Sequence, residues 1–196
     1  MIFLGPIIRL QVQTASLKIG SGANQRYDRR PIESLPFLEL DDGGVCGIGR
    51  FGQRLADVHH RDHPDSKLRG AENAISLGFT GHYEAMRDRF GPHLVEGAAA
   101  ENILIEHDGL VRAGELTNGL CIETIDGRTA LLEAIIVAEP CAPFARWALQ
   151  LPDDARPDRR VTEALQFLGN GVRGFYCRYT GIPIRIGLGA RVFLPA

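Results

Sequence analysis

Five stretches of the sequence combine residue types that can do chemistry. The sharpest is "EPCAPF", residues 139–144, where a cysteine follows the apolar run "ALLEAIIVA" and stands near two prolines. A thiol at the end of a strand, on a backbone restricted by Pro140 and Pro143, suits a metal ligand or a nucleophile. Cysteine is also among the most buried residue types, so Cys141 could equally be a small apolar side chain in the core. Both interpretations stay open on these residues, although the aromatics of the following "FARWAL" could wall a pocket.

A second stretch, "VEGAAAENILIE" at residues 95–106, places a Glu-Asn pair before a strand-like run. The glycine and alanines ahead of the pair allow close approach of another backbone or a ligand. Glu101 and Asn102 can bind the polar edge of a heterocycle, because the carboxylate accepts hydrogen bonds and the amide both donates and accepts them. The alternative is a tight turn in which both side chains bond to their own backbone.

The third stretch, "ADVHHRDHPD" at residues 56–65, is rich in histidine and aspartate. His59 and His63 are four residues apart, and on a helix they would share a face as zinc ligands. However, position 60 holds His60 rather than the glutamate of a zinc-protease motif, and Pro64 favours a loop. A zinc site and a polar loop that lines a pocket are therefore both considered.

The other two stretches carry cations. In "GNGVRGFYCRYTG", residues 169–181, Arg173 and Arg178 stand beside glycine turns that could hold an oxyanion, although no GxxxxGK[ST] nucleotide loop is present. The alternative is a glycine-rich entry into a strand with surface arginines. In "SLKIG", Lys18 is the cation of an otherwise apolar strand. It could be aimed at an anion or simply be solvated.

The elements that must position these residues are mostly strands. Short β-branched runs with period-2 alternation, punctuated by 23 glycines and 11 prolines, predict a mainly β barrel or sandwich. The alternating runs are "IIRLQVQTASLKIG", "LCIETI" and "GIPIRIGLGARVFL", the last at Ile182, Ile184, Ile186 and Leu188. "TALLEAIIVA" is a continuous apolar run of strand character, and "RGFYCRY" is also expected to be a strand.

Two segments have helical periodicity and predict short helices near residues 80–90 and 158–168. Thr80 is the expected cap of the first, which Gly91-Pro92 ends, and Asp158 is the expected cap of the second. Between them, residues 150–158 form a polar, proline-bearing linker. Because the strand "RGFYCRY" after this linker needs a partner sheet, residues 1–196 are expected to form a single domain.

Composition narrows the class of protein. With 44% hydrophobic and 23% charged residues and a net charge of −2, the chain is typical of a soluble protein with no general attraction to nucleic acid or anionic lipid. No apolar run reaches the ~20 residues of a membrane span. The four cysteines show neither a CxxC pair nor a disulfide framework, which predicts a reducing, cytoplasmic location.

Taken in order, the motifs resemble the MOSC domain family, the C-terminal module of molybdenum-cofactor sulfurases, and its stand-alone bacterial members. The resemblance rests on "GAAAENI", on "PC" at a strand end and on the closing "GFYCRYTGIPIRIGLGARVFL", and it covers residues 18–194 or nearly so. The histidine stretch departs from the family's pattern, because "RDHPD" replaces its usual double glycine. The resemblance implies a single MOSC-like β-barrel domain with a few short helices.

The resemblance further implies that the barrel holds a molybdenum cofactor, a pterin with a phosphate and a dithiolene-bound metal. Cys141 would be the metal ligand and the catalytic residue. The implied cofactor-binding residues are Lys18, His59, His60, Glu101, Asn102 and Arg173. No sulfurase aminotransferase domain fits in the chain, so no pyridoxal phosphate is expected.

Three functions are compatible with this reading. The first is reduction of small N-hydroxylated substrates, which family relatives carry out with electrons from a separate redox partner. The second is a non-catalytic carrier of the cofactor or of persulfide sulfur on Cys141. The third, from another class, is a zinc-dependent hydrolase built on His59 and His63.

Overall fold

A computed structural model describes residues 1–68, 70, 72–152 and 158–195. The strands are β1 (Ile2–Gln13), β2 (Lys18–Ile19), β3 (Arg26–Tyr27), β4 (Ile32–Ser34), β5 (Phe37–Asp41), β6 (Gly44–Ile48), β7 (Arg54–Ala56), β8 (Ile75–Phe79), β9 (Ile103–Ile105), β10 (Leu120–Glu123), β11 (Thr129–Val137), β12 (Phe175–Arg178), β13 (Ile184–Gly187) and β14 (Arg191–Leu194). The helices are α1 (Thr80–Phe90), α2 (Ala142–Ala148) and α3 (Arg159–Phe167). Most of the linker predicted at 150–158 lies outside the described residues.

Seven strands close into a barrel in the order β1, β14, β10, β11, β12, β8 and β9. All neighbours are antiparallel except β8 and β9, which are parallel. The long strand β1 closes the barrel because its first residues pair with β14 and its later residues pair with β9. Register shifts near Gly5 and between Ile7 and Arg9 bend it between the two partners. A side chain cannot replace the hydrogen of Gly5, because a Cβ there would lie 1.7 Å from the Glu106 carbonyl oxygen.

Alternate side chains of these strands point inward and form the barrel core. Leu10, Leu77, Leu132 and Val192 are each at most 1% exposed. A second sheet, in the order β13, β5, β6 and β7, and a two-stranded ribbon of β2 and β3 flank the barrel. The predicted mainly β barrel with a few short helices is confirmed.

The alternation predicted at Ile182, Ile184, Ile186 and Leu188 is wrong at both ends, and Leu188 is 46% exposed in the turn after β13. Ile184 and Ile186 are buried in β13, but Ile182 is 86% exposed in the bend that precedes the strand. The strand begins later than the apolar pattern because the Tyr179 hydroxyl donates to the Ile182 carbonyl oxygen, which holds this segment as a turn.

Both predicted helices are confirmed, and they share a second apolar core with α2. Asp158 caps α3 as expected, since its Oδ1 accepts from the Val161 N–H at 3.1 Å. Thr80 does not cap α1, because it is the first helical residue and its hydroxyl donates to the His107 carbonyl oxygen at 2.9 Å. Helix α2 was not predicted from the sequence. None of the helices in the described ranges is long and apolar enough to cross a membrane.

Candidate functional site

Cys141 lies at the entrance to α2, four residues beyond the end of β11. It occupies the position before the first helical residue, in an extended backbone conformation, and it is half-buried. Its side chain makes no capping hydrogen bond to the helix. The thiol is therefore held in place by the strand and the helix on either side, and it is not used to stabilise the helix itself.

Arg173 stands beside the segment that carries Cys141. It follows a tight turn at the end of α3 and precedes β12. The Ala138 N–H donates to the Gly174 carbonyl oxygen at 3.0 Å, so the segments leading to the two residues run side by side. Gly174 has a φ of 111°, and a Cβ there would lie 2.3 Å from the Leu77 carbonyl oxygen. Only glycine lets the chain leave Arg173 and enter the barrel at this point.

Tyr27 completes a group of ionisable side chains around Cys141. Burial raises the pKa of Tyr27 far above its usual range; Arg173 opposes that rise, while Glu101 and Cys141 add to it. Burial by itself lowers the pKa of Arg173, but its ionisable neighbours outweigh burial and raise the pKa. Those neighbours are Tyr176, Tyr27, Cys141 and Glu101. The fold thus brings three of the sequence-predicted site residues, Cys141, Arg173 and Glu101, into one electrostatically coupled group.

Two arginines at this site carry buried donors without acceptors. Nη1 of Arg173 and Nε of Arg29 are both shut off from solvent and have no hydrogen-bond partner among the described residues. The guanidinium groups rest on aromatic rings instead, Arg173 over Phe144 at 5.6 Å and Arg29 over Trp147 at 5.5 Å. A buried N–H without an acceptor is costly, and a positively charged donor more so. Such donors are typical of a site that a ligand oxygen completes.

A cavity of about 370 Å³ runs along α2 on the side of Arg29. Tyr27 lines it and also belongs to the Cys141 group, so the cavity and the group share a wall. The remaining walls include Arg146 and Trp147 of α2 and His93. The ring of Tyr27 meets Phe144 edge-on at 5.0 Å, and its hydroxyl donates to the Ala98 carbonyl oxygen at 2.9 Å. The result is an aromatic pocket with arginine donors, which suits a planar ligand with an anionic group.

Glu101 is buried at the base of the group, 1% exposed. The Tyr83 hydroxyl donates to its two carboxyl oxygens at 2.9 and 2.8 Å, and this hydroxyl accepts from the Ala99 N–H at 3.0 Å. Burial raises the pKa of Glu101, although Tyr83, Arg173 and Arg9 each oppose the rise. Glu101 therefore keeps its proton to a higher pH than an exposed carboxyl group would, although the charge of Arg173 opposes this effect.

The raised pKa of Glu101 gives a stability prediction with a definite sign. The folded chain holds the Glu101 proton to higher pH than the unfolded chain, whose pKa is near the ordinary 4.5. The carboxyl group therefore costs nothing below the unfolded pKa and destabilises the fold as the pH rises through the folded pKa. Glu101→Gln lacks this titration. We expect the stability of the wild type relative to the variant to fall once the pH rises above the unfolded value of 4.5, and to level off above the folded pKa.

Urea unfolding of both chains across that range measures the difference. Glu96→Gln is the matched control, because Glu96 is exposed in the same loop. Its stability difference from the wild type should not change with pH. A wild-type to Glu101→Gln difference that is equally independent of pH would contradict the raised pKa.

Asn102 points away from this group and ties three segments together. Its Oδ1 accepts from the backbone N–H and the hydroxyl of Ser76, both at 2.9 Å. Its Nδ2 donates to the Gln11 carbonyl oxygen at 3.2 Å and to Asp57 Oδ2 at 2.8 Å. The amide is thus fully used within the protein. Of the predicted pair, the structure directs Glu101 toward Arg173 and Asn102 toward the histidine loop.

The histidine loop is fixed by its own hydrogen bonds. His59 Nδ1 lies 3.0 Å from Oδ1 of the fully buried Asp57, the residue whose other oxygen Asn102 binds. His60 is 3% exposed, with Nε2 3.3 Å from Asp41 Oδ1. His63 uses both nitrogens, since Nδ1 accepts from the Asp65 N–H and Nε2 lies 3.2 Å from the Thr14 carbonyl oxygen.

The loop therefore lacks the arrangement of a zinc site. The described part of the chain contains no group of three or more histidine, cysteine, aspartate or glutamate side chains that could hold a metal ion. His59 and His63 each spend Nδ1 within the protein, and His63 has no nitrogen left for a ligand. The i, i+4 spacing has no meaning for metal binding here, because the segment is a series of turns and not a helix.

Lys18 lies on the exposed ribbon next to the site. In β2 it is paired directly with Tyr27 of β3, the residue shared by the cavity and the Cys141 group. Lys18 also affects Lys67. Burial is the largest cause that lowers the pKa of Lys67, and the positive charge of Lys18 lowers it further. Lys18 thus stands at the rim, on the strand opposite Tyr27, and its side chain is exposed.

Sequence reasoning missed Tyr27, Tyr83, Arg29 and Trp147. A signal for two of them exists in "NQRYDRRP", where a tyrosine is surrounded by arginines, but no motif spacing marks it. Trp147 is visible only as one of the aromatics after Cys141. The direction in which the Trp147 side chain points depends on helix α2. The sequence signal for that helix is Pro143 in its first turn, since proline favours helix starts.

Comparisons with known proteins locate the fold among solved structures. A scan against models of protein families gives no match, and no curated protein matches. YiiM from Escherichia coli matches with a TM-score of 0.51 and 14% identity, over 84% of this chain and 65% of that one. A structure described as a hypothetical protein matches with a TM-score of 0.57 and 12% identity, over 100% of this chain and 68% of that one. YuaD from Bacillus subtilis is 13% identical over 96% of this chain and 97% of its own, with a TM-score of 0.49. At these identities the likeness to YiiM and the second structure shows the fold alone.

Proposed function

We propose, on the premise of the MOSC-like fold that the chain shares with YiiM, that it binds a molybdenum–pterin cofactor at the Cys141 group. The observation that carries the proposal is the pair of buried guanidinium donors without acceptors, Arg173 Nη1 and Arg29 Nε, of which Arg173 interacts electrostatically with the half-buried Cys141. A protein that keeps charged donors unpaired inside its own fold is built for an anionic partner.

The residues present fit this cofactor chemically. Thiolate is a soft ligand, suited to a metal that already carries sulfur, and Cys141 is the half-buried cysteine in the group. Guanidinium groups bind phosphate through paired N–H donors, and Arg173 and Arg29 offer such donors. The aromatic wall of Tyr27 and Trp147 suits the flat face of a pterin. Lys18 at the rim adds positive charge on the solvent side.

When bound, the cofactor would supply the two-electron redox chemistry, and the protein would supply binding, orientation and electrostatics. Arg173 would place its positive charge beside the Cys141 sulfur when the cofactor is bound. Glu101, whose pKa is raised, would hold a proton near the bound cofactor. Asn102 and Asp57 would keep β1, β8 and the histidine loop in register behind the site.

The reaction proposed is reduction of a small N-hydroxylated substrate. The chain carries no ferredoxin-type cysteine cluster and no flavin fingerprint, so electrons would come from a separate redox partner. Cys46, Cys121 and Cys177 are free and lie apart from the Cys141 group, in strands of the sheets. No pyridoxal phosphate is expected, and no role in nucleic-acid or membrane binding is proposed.

A second candidate is a carrier of the cofactor or of sulfur. It is favoured by the half-buried Cys141 side chain, which makes no capping bond and is open to a partner. In this case Cys141 would carry a persulfide and Arg173 would stabilise the charge on its terminal sulfur.

An assay with an artificial electron donor separates the two candidates. The chain is purified from a host that makes the cofactor and is mixed with reduced methyl viologen and benzamidoxime. Substrate-dependent oxidation of the dye, absent in Cys141→Ser, supports the reductase. A molybdenum-loaded chain that never oxidises the dye, but releases sulfane sulfur from Cys141 on addition of cyanide, supports the carrier.

A further inference from the structure

A second and larger cavity is lined by the segment that leads to Arg173. Its volume is about 570 Å³, within the usual range for small-molecule pockets. It is enclosed by α1, the loop after β9, the end of β11 and the turn after α3. The walls include His82, Val111, Arg112, Val137, Phe167 and Val172.

A residue that lines this cavity, His82, carries a polar atom without a partner. His82 is 1% exposed, and its Nδ1 makes no hydrogen bond within the described residues. The ring is packed between two phenylalanines, 5.2 Å from Phe79 and 5.8 Å from Phe175 between centroids. The imidazole is therefore rigidly placed, with one nitrogen left for an occupant of the cavity. An unpaired buried polar atom calls for an explanation, and a ligand supplies one.

The other ring nitrogen decides what Nδ1 offers. His82 Nε2 lies 3.1 Å from both the N–H and the carbonyl oxygen of Val111. Buried backbone N–H groups without an acceptor are rarer than carbonyls without a donor. Val111 is 3% exposed, so its N–H needs Nε2 as acceptor. The proton of the neutral ring then sits on Nδ1, which makes Nδ1 a donor.

The imidazole is neutral near pH 7. Burial, as the largest cause, lowers the pKa of His82 to about 4, with a smaller contribution from His107 and an opposing one from Val111. The positive charge at this cavity belongs instead to Arg112, which lines it and is exposed to solvent. An occupant thus meets a neutral N–H donor inside and a guanidinium at the rim, while aliphatic and aromatic side chains form the remaining walls.

We propose that this cavity is a binding site for a small apolar molecule that ends in a carboxylate. The carboxylate would accept from His82 Nδ1–H and from Arg112, and the apolar body would lie against Val137, Phe167 and Val172. The walls of this cavity include neither Cys141 nor any residue that lines the first cavity, and its occupancy does not depend on the proposed cofactor.

Titration of the isotope-labelled chain with 2-naphthoate, followed by backbone amide NMR, tests this. We expect saturable shifts centred on residues 110–112 and 168–172. His82→Phe keeps the ring contacts with Phe79 and Phe175 but removes the donor, and it should weaken binding by about tenfold. Arg112→Ala, a change at an exposed residue, should weaken it by roughly threefold to tenfold.

Two controls make the outcome decisive. Arg50→Ala removes an exposed arginine in another loop and should leave the affinity unchanged. 2-Naphthylmethylamine has the same ring system with a cation in place of the acceptor, and it should give no saturable shift. The proposal is overturned if wild type does not saturate with 2-naphthoate, if the amine binds as well, or if Arg112→Ala binds like wild type. Arg112→Ala and the amine decide the matter even if His82→Phe does not fold.

Discussion

Cys141→Ser should lose molybdenum while the protein keeps its stability. Serine has nearly the same size but is a hard ligand, so retention should fall by at least the roughly 10–100-fold that loss of an outer-shell partner of a metal costs. The cofactor-free variant should unfold within about 0.5 kcal/mol of wild type, because Cys141 is half-buried and makes no capping bond. Metal content and urea unfolding measure the two effects.

Cys121→Ser is the matched control, because Cys121 is also half-buried but lies on β10. It should keep molybdenum. Alkylation of the cofactor-free chain at neutral pH should be fastest at Cys141, since burial raises the pKa of Cys46, Cys121 and Cys177. If Cys141 resists alkylation and the Ser variant still binds molybdenum, Cys141 is a packing side chain and not a metal ligand.

Arg173→Met should weaken cofactor binding without weakening the fold. Loss of a charge-assisted hydrogen bond of about 1.5–3 kcal/mol corresponds to roughly 10–100-fold in affinity. The cofactor-free variant should be as stable as wild type, or more stable by up to about 1–2 kcal/mol, since methionine removes a buried donor that has no acceptor. A substitution that weakens ligand binding but does not lower the free energy of unfolding is expected at a residue whose role is to bind the ligand.

The control for this variant is Arg178→Met. Arg178 is exposed on β12, five residues after Arg173, and its loss should change neither quantity measurably. Thermal unfolding of the cofactor-free chains and molybdenum content of the loaded chains give both numbers. An Arg173→Met variant that is destabilised and still retains the cofactor would show that Arg173 is structural.

Local pattern predicted the barrel strands and two helices, since alternation and capping are properties of neighbouring residues. It misplaced Thr80 because the hydroxyl is used by His107, which is distant in sequence. It missed α2 because seven residues give little periodicity. It extended β13 to Ile182, where a turn set by Tyr179 prevails over the apolar alternation.

The site was predictable only in part for the same reason. Cys141, Glu101 and Arg173 carry motif positions, and the structure brings them together. Tyr27 and Arg29 come from a ribbon that no motif marks, so their place beside Cys141 appears only after folding. Asn102 occupies a motif position but does not join the Cys141 group. Nothing in the sequence indicated that its amide is hydrogen-bonded to Ser76, Gln11 and Asp57.

The most direct test of the proposed cofactor is the molybdenum content of the purified chain. The chain is expressed in a host that makes the cofactor and in one that cannot, and metals are measured by mass spectrometry alongside Cys141→Ser. We expect molybdenum approaching one atom per chain only for wild type from the competent host, with the released pterin detectable by its fluorescence after oxidation. Wild type without molybdenum from the competent host, or equal molybdenum in Cys141→Ser, would contradict this expectation.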